Sequence, residues 1–121
     1  MLRRKPIADE LIESLSIAQR RALLDILVER FRQDRQWGEQ NHDPFVWLGI
    51  LMEEIGEFAR AALEIEFGTP TSPRDAARWL ANRRHEAVQV AAVAMAIVEC
   101  IDRKQALEGG GKCPNTEQRW S

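Results

Sequence analysis

Apolar residues recur along this chain at helical spacing, and no stretch shows the strict alternation of a strand. Ile7, Leu11, Ile12 and Leu15 mark a short first segment. Ser16, with Gln19 three residues on, has the signature of a capping box. From Ile17 a stripe of Leu23, Leu24, Ile26, Leu27, Val28 and Phe31 predicts a long amphipathic helix, with Arg20, Arg21, Glu29, Arg30 and Arg32 off the stripe. Its expected end is Trp37-Gly38, where Gly38 can take a left-handed stop. Asn41-His42-Asp43-Pro44 reads as a break and restart, with Asp43 as N-cap and Pro44 at the first helical position. The next helix is expected to reach Phe67 and stop at Gly68. Its core seam reads Leu48, Leu51, Ile55, Phe58, Ala62 and Ile65, and Gly49 and Gly56 on one flank would let another helix approach closely.

Residues 68–73 form a loop by composition. A third helix is expected from Arg74 or Asp75 to about Ala106, with a break near Asn82. Between Ala87 and Val98 it is apolar on every side except at Gln89, the pattern of a helix surrounded by others. The fold class is therefore all-α: a helical bundle of three main helices, four or five counting breaks. A chain this short with one all-round apolar helix is expected to complete its core by self-association, as a homodimer or homotetramer. The 121 residues divide into one domain over 1–108 and a glycine-rich C-terminal tail over 109–121 that includes Trp120.

Charge and cysteine content narrow the function classes. A formal charge of −2 gives no general attraction to nucleic acid, and the early Arg3-Arg4-Lys5 cluster carries no assigned role. Two cysteines, Cys100 and Cys113, are too few for a disulfide framework, and Cys100 is expected as a small buried hydrophobe. No apolar run is long enough to span a bilayer, so no membrane partner is expected. Acidic residues interrupt any secretory signal behind the basic start, which makes the cytoplasm the expected compartment.

The candidate chemistry is acidic. Glu53, Glu54 and Glu57 fall within five residues of an otherwise apolar helix. Projected at 100° per residue, Glu54 and Glu57 share a stripe with Trp47, Ile50 and Ala61 at the margin of the seam, and Glu53 lies further toward solvent. On the third helix Glu86 projects among Trp79, Asn82, Arg83, Val90, Val93 and Ile97, near the middle of an apolar face, with Gln89 on the same side. A carboxylate there has to be paired, protonated or bound to metal. If the two helices pack antiparallel, Glu54, Glu57, Glu86 and Gln89 converge. An all-oxygen donor set favours a hard cation, Mg²⁺ or Mn²⁺. The ordinary alternative is a solvated acidic face with local ion pairs such as Glu57 with Arg60.

Glu53-Glu54-Ile55-Gly56-Glu57 with Phe58-Ala59-Arg60-Ala61, followed by Glu86-Ala87-Val88-Gln89-Val90-Ala91-Ala92-Val93-Ala94, resembles the MazG-like all-α nucleoside triphosphate pyrophosphohydrolases. The upstream Arg32-Gln33-Asp34-Arg35-Gln36-Trp37-Gly38 is similar to the segment before the metal motif in small phage and bacterial members. The likeness covers roughly Phe31 to Arg103. The family pattern is Glu-Glu-x-x-Glu, a gap, then Glu-x-x-Asp. This chain carries Gln89 where the family has Asp, an amide that brings no charge. Glu99-Cys100-Ile101-Asp102 is a second Glu-x-x-Asp string, read as a solvent-side feature because it projects away from Glu86.

The resemblance implies hydrolysis of a nucleoside triphosphate to monophosphate and pyrophosphate. Glu54, Glu57, Glu86 and Gln89 would ligate Mg²⁺ or Mn²⁺. Glu53 would be the catalytic base or a ligand to a second ion. Arg83, Arg84 and Lys104 would meet phosphate oxygens, with Arg32 and Arg35 behind them. Trp37 and Trp47 would offer stacking faces to the base, and Gln33 and Gln36 hydrogen bonds. A catalytically weak or inactive helical protein that keeps the fold and binds a nucleotide or partner is the alternative that Gln89 raises. A di-iron carboxylate bundle is disfavoured because no Glu-x-x-His pair exists.

Overall fold

The computed structural model describes residues 7–109. Arg3-Arg4-Lys5, Cys113, Trp120 and all of the tail after Gly109 lie outside the described residues. Four helices and no strands make up the rest: α1 (Ile7–Ser14), α2 (Ile17–Trp37), α3 (Pro44–Phe67) and α4 (Pro73–Glu108). No helix among the described residues is long and apolar enough to cross a membrane.

The helix ends follow from local chemistry. Ser16 accepts from the Gln19 N–H at 3.1 Å and its own N–H donates to the Gln19 side chain at 2.8 Å, completing the capping box. Asp43 accepts from the N–H groups of Phe45 and Val46, with Pro44 at the first position. Gly38 ends α2 with φ +70°, the sign that favours glycine, but with ψ −167° rather than the left-handed helical value expected. Gly68 ends α3 at an ordinary φ of −85°. Glycine is needed there for space, because a Cβ would meet the Trp79 ring at 2.9 Å.

The expected break near Asn82 is absent. α4 runs unbroken from Pro73, N-capped by Ser72, whose hydroxyl accepts from the Asp75 N–H. At 1.5 Å per residue it is about 54 Å long, and it organises the molecule. α2 and α3 each pack on α4 and not on one another. Trp47 near the start of α3 meets Ala96 and Cys100, while Gly68 at its end meets Trp79, so α3 and α4 are antiparallel. Asp25 pairs with Arg84 and Arg30 with Glu99, so α2 runs parallel to α4.

Two expected core faces are turned the other way. On α3 the buried residues are Trp47 and Ala61, with Ile50, Glu54 and Glu57 half-buried beside them. Of the expected seam, Leu51, Ala62 and Ile65 are half-buried, while Leu48, Ile55 and Phe58 are exposed. The stripe that reads as the margin is thus the one that meets α4. On α2 the buried residues are all polar, Glu29, Arg30 and Gln33, while Leu23, Leu24, Leu27, Val28 and Phe31 lie exposed. A Cβ at Gly49 or Gly56 would meet nothing within 4 Å, so no helix of this chain approaches them. α4 is likewise covered on two sides only, and Met95 and Val98 stay exposed. The buried core is correspondingly small: Trp47, Ala61, Ala92, Val93, Ala96 and Cys100, with Ile50 and Ile97 packed against the cluster of Trp47, Ala96 and Cys100. Cys100 is buried as expected.

Candidate metal centre

The antiparallel pairing of α3 and α4 brings Glu54 within electrostatic reach of Glu86. Both are half-buried, and neither has a hydrogen bond or ion pair among the described residues. Burial is the first cause that raises the Glu54 carboxyl above the ordinary carboxylate range. The charge of Glu86 is the second, followed by those of Glu53, Glu57 and Glu29. Glu57 is half-buried and has a loose 3.8 Å pairing with the exposed Arg60. Glu53 is exposed on the solvent side. The expected position of Glu86 deep in an apolar face is corrected: it lies at the edge, next to exposed Asn82 and Arg83.

Gln89 is buried on α4, and Glu29 of α2 is near enough to feel its side chain. Glu29 is 8% exposed. Arg32 grips it through Nε and Nη2 at 2.6–3.1 Å, and Gln33 reaches it more weakly at 3.5 Å. The bond from Arg32, helped by the neighbouring Gln89 amide, holds Glu29 below the ordinary carboxylate range against the cost of burial. Sequence periodicity assigns Glu29 to the solvent side of α2. Its only advance signal is the spacing Glu29, Arg32, Gln33, which forms a polar stripe on one helix face.

As the side chains stand, no three His, Cys, Asp or Glu groups among the described residues lie close enough to hold a metal ion. The donor chemistry nonetheless suits a hard divalent cation. Glutamates from α3 and α4 lie within electrostatic reach of one another, and no basic side chain is bonded to Glu54 or Glu86 among the described residues. Gathering three donors takes side-chain rotation, which the exposed Glu53 and the open edge of Glu57 permit.

No family model, curated protein or solved structure matches the chain.

The other expected site residues divide clearly. Trp37 is 53% exposed and carries the Arg32 guanidinium 5.8 Å from its ring centre. Gln36 accepts from Arg32 at 2.7 Å. Trp47 cannot stack on a substrate: it is 4% exposed in the core, edge-on to His42 at 4.8 Å, with an indole N–H that finds no partner. Gln33 is buried and engaged, accepting from Arg30 at 3.0 Å as well as donating to Glu29. Arg84 pairs with Asp25 at 2.8 Å. Arg83 is exposed beside Glu86. Lys104 is too distant, since the helix from Glu86 to Lys104 spans about 27 Å; it lines a cavity with His42 and Cys100 at the other end.

Glu99 is a further correction. It is not a solvent-side group but a half-buried partner of Arg30, which donates to it at 2.7 and 3.1 Å. Asp34 takes another Arg30 donor at 2.9 Å. These groups line a cavity of about 350 Å³ with Gly38 and Arg103, whose charges are largely satisfied among themselves. Arg103 clasps the loop before α3 through Asn41 and the Gln40 carbonyl.

Proposed function

We propose that the chain is a divalent-cation-dependent nucleotide pyrophosphohydrolase, splitting a nucleoside triphosphate into monophosphate and pyrophosphate. One observation carries the proposal: Glu54 and Glu86, on different helices, are half-buried within electrostatic reach of each other, and neither is bonded to a basic side chain among the described residues. Like charges held together as water is withdrawn repel, and a cation is the economical relief. The resemblance to the MazG-like pattern at residues 53–57 and 86–89 supplies the reaction class.

In this reading Glu54, Glu57 and Glu86 hold Mg²⁺ or Mn²⁺. When bound, the ion supplies charge neutralisation and Lewis acidity at the phosphorus under attack. Glu53, exposed beside them, accepts the proton of the attacking water. Arg83, exposed three residues before Glu86 on α4, is offered to phosphate oxygens, and the exposed Trp37 is the stacking surface for the base. The unpartnered apolar faces support self-association. Leu23, Leu24, Leu27, Val28 and Phe31 of α2 and Leu48, Met52, Ile55 and Phe58 of α3 are 36–63% exposed. A homodimer or homotetramer would bury them.

The second reading, a nucleotide- or partner-binding protein without turnover, is favoured by the ungathered carboxylates and by the neutral Gln89. Assaying a panel of canonical and modified nucleoside triphosphates under a Mg²⁺ titration separates the two. Mg²⁺-dependent release of pyrophosphate, not orthophosphate, is expected. Folded, Mg²⁺-loaded protein that turns over no triphosphate would reject the enzyme.

A further inference from the structure

We propose that the outer face of α3 pairs with the same face of a second copy of the chain, the two helices antiparallel, so that Glu53 meets Arg60 of the partner subunit. The inference rests on the reading of self-association above, and it names the face, the direction and the register of the contact.

The face lies opposite the one that meets α4. Projected at 100° per residue, Gly49, Met52, Gly56, Ala59, Leu63 and Phe67 fall together on the side away from Trp47 and Ala61, and all six are exposed. They recur every three or four residues, and no charged residue falls among them on that face. A helix turned to water is polar there; an apolar seam of this spacing is what one helix offers another. A Cβ at Gly49 or Gly56 would meet nothing within 4 Å, so the seam is open to a close neighbour.

The order of the residues matches the seam to itself. Turned end for end about a point between Gly56 and Ala59, Met52 meets the partner's Leu63, and Gly56 meets the partner's Ala59. Phe67 falls beside the partner's Gly49, where the missing side chain leaves room. Small residues at the centre let the backbones approach, and large ones fill the space on either side. A twofold axis repeats each of these contacts.

Charge fixes the direction. Glu53 and Arg60 lie along one flank of the seam, and Leu48 and Ile55 along the other. A twofold axis across an antiparallel pair sets like flanks side by side, whereas one along a parallel pair sets unlike flanks together. Only the antiparallel pair therefore puts Glu53 beside the partner's Arg60; the parallel pair would set both charges against leucine and isoleucine. Both groups are available. Glu53 is exposed, with no basic side chain bonded to it among the described residues. Arg60 is 78% exposed at its side chain and reaches Glu57 only at 3.8 Å. The second copy thereby brings a guanidinium to the edge of the acidic centre.

The test is sedimentation equilibrium of the full chain, with circular dichroism as the control for folding. Leu63→Glu is expected to give smaller species than wild type with helical content kept. Glu53→Arg and Arg60→Glu each set like charges across the seam twice, and each is expected to weaken association about tenfold. Mixed in equal amounts, these two variants are expected to associate with each other more tightly than either does with itself, since every pair is then of opposite sign. Glu53→Arg combined with Arg60→Glu in one chain is expected to return to wild-type association. Charges that act only along their own helix would change melting and leave the mixture no tighter than its parts. The flank variants decide the matter even if Leu63→Glu unfolds. The proposal is overturned if folded Leu63→Glu keeps the wild-type mass; a fall in mass for Leu27→Glu alongside it would leave self-association standing through α2. It is overturned equally if the two reversed variants do not associate on mixing. A wild type that is monomeric at every concentration would remove self-association and the α3 pairing with it.

Discussion

Arg30 donates through Nε and Nη2 to the two carboxylate oxygens of Glu99, at 2.7 and 3.1 Å, across the seam between α2 and α4. The pair holds the Arg30 guanidinium, only 10% exposed at its side chain, in its charged form. Glu99 is 35% exposed, so solvent screens part of the attraction. Arg30→Ala is expected to cost about 2 kcal/mol of stability, between the values for surface and buried pairs. Arg30→Lys should recover little of it, because an ammonium cannot reproduce the planar fork. Urea unfolding of the three proteins checks this.

Glu54 gives a pH dependence of known sign. Its carboxyl is raised in the fold, chiefly by burial and by Glu86. The folded chain therefore keeps this proton at pH values where the unfolded chain, with an ordinary carboxyl near pH 4.3, releases it. Stability falls as pH rises through that window, and the loss persists at neutral pH. Glu54→Gln is accordingly expected to melt a few degrees higher than wild type at pH 7 in chelator. The difference should vanish below about pH 4, where both states are protonated. Added Mn²⁺ should reverse the order at pH 7, since only wild type gains the ion. Thermal melts across pH, with and without metal, test all three statements.

Close packing sets the turn between α3 and α4. A methyl at Gly68 would meet the Trp79 ring at 2.9 Å and also press on the Glu64 carbonyl. Neither the helix backbone nor a half-buried indole yields easily. Gly68→Ala is expected to cost about 1–3 kcal/mol, read by denaturant unfolding.

The exposed stripes of α2 and α3 lead to a test of assembly. Phe58→Glu and Leu27→Glu each put a charge on an apolar face that the described helices leave partly exposed. Light scattering after size exclusion should show wild type as a dimer or tetramer and the variants as smaller species. Helical circular dichroism should be retained, because neither side chain belongs to the core around Trp47.

Helix existence and most helix ends were legible in the sequence because caps and breaks are local. Ser16 with Gln19, Asp43 with Pro44, and Gly38 each act through neighbours within four residues. Helix orientation was not legible. α3 carries two adjacent apolar stripes, and periodicity alone does not say that Trp47, Ile50 and Ala61 meet α4 while Leu48, Ile55 and Phe58 face outward. α2 is harder still, since its polar side is the one that packs. Glu29 takes Arg32 and Gln33 from its own helix but is buried only by packing on α4, and Glu99 gains Arg30 only from α2. Asn82 suggests a break by its modest helix propensity, a preference that the packing of a 36-residue helix overrides.

The most direct test of the acidic centre is Mn²⁺ binding by wild type, Glu54→Gln and Glu86→Gln, because it asks whether carboxylates from two helices share one ion. Wild type should bind Mn²⁺ saturably, and each single variant, on its own helix, should lose most of that affinity with its helical content intact. Wild type that does not bind, or two variants that both bind as tightly as wild type, would contradict a shared cation site between α3 and α4.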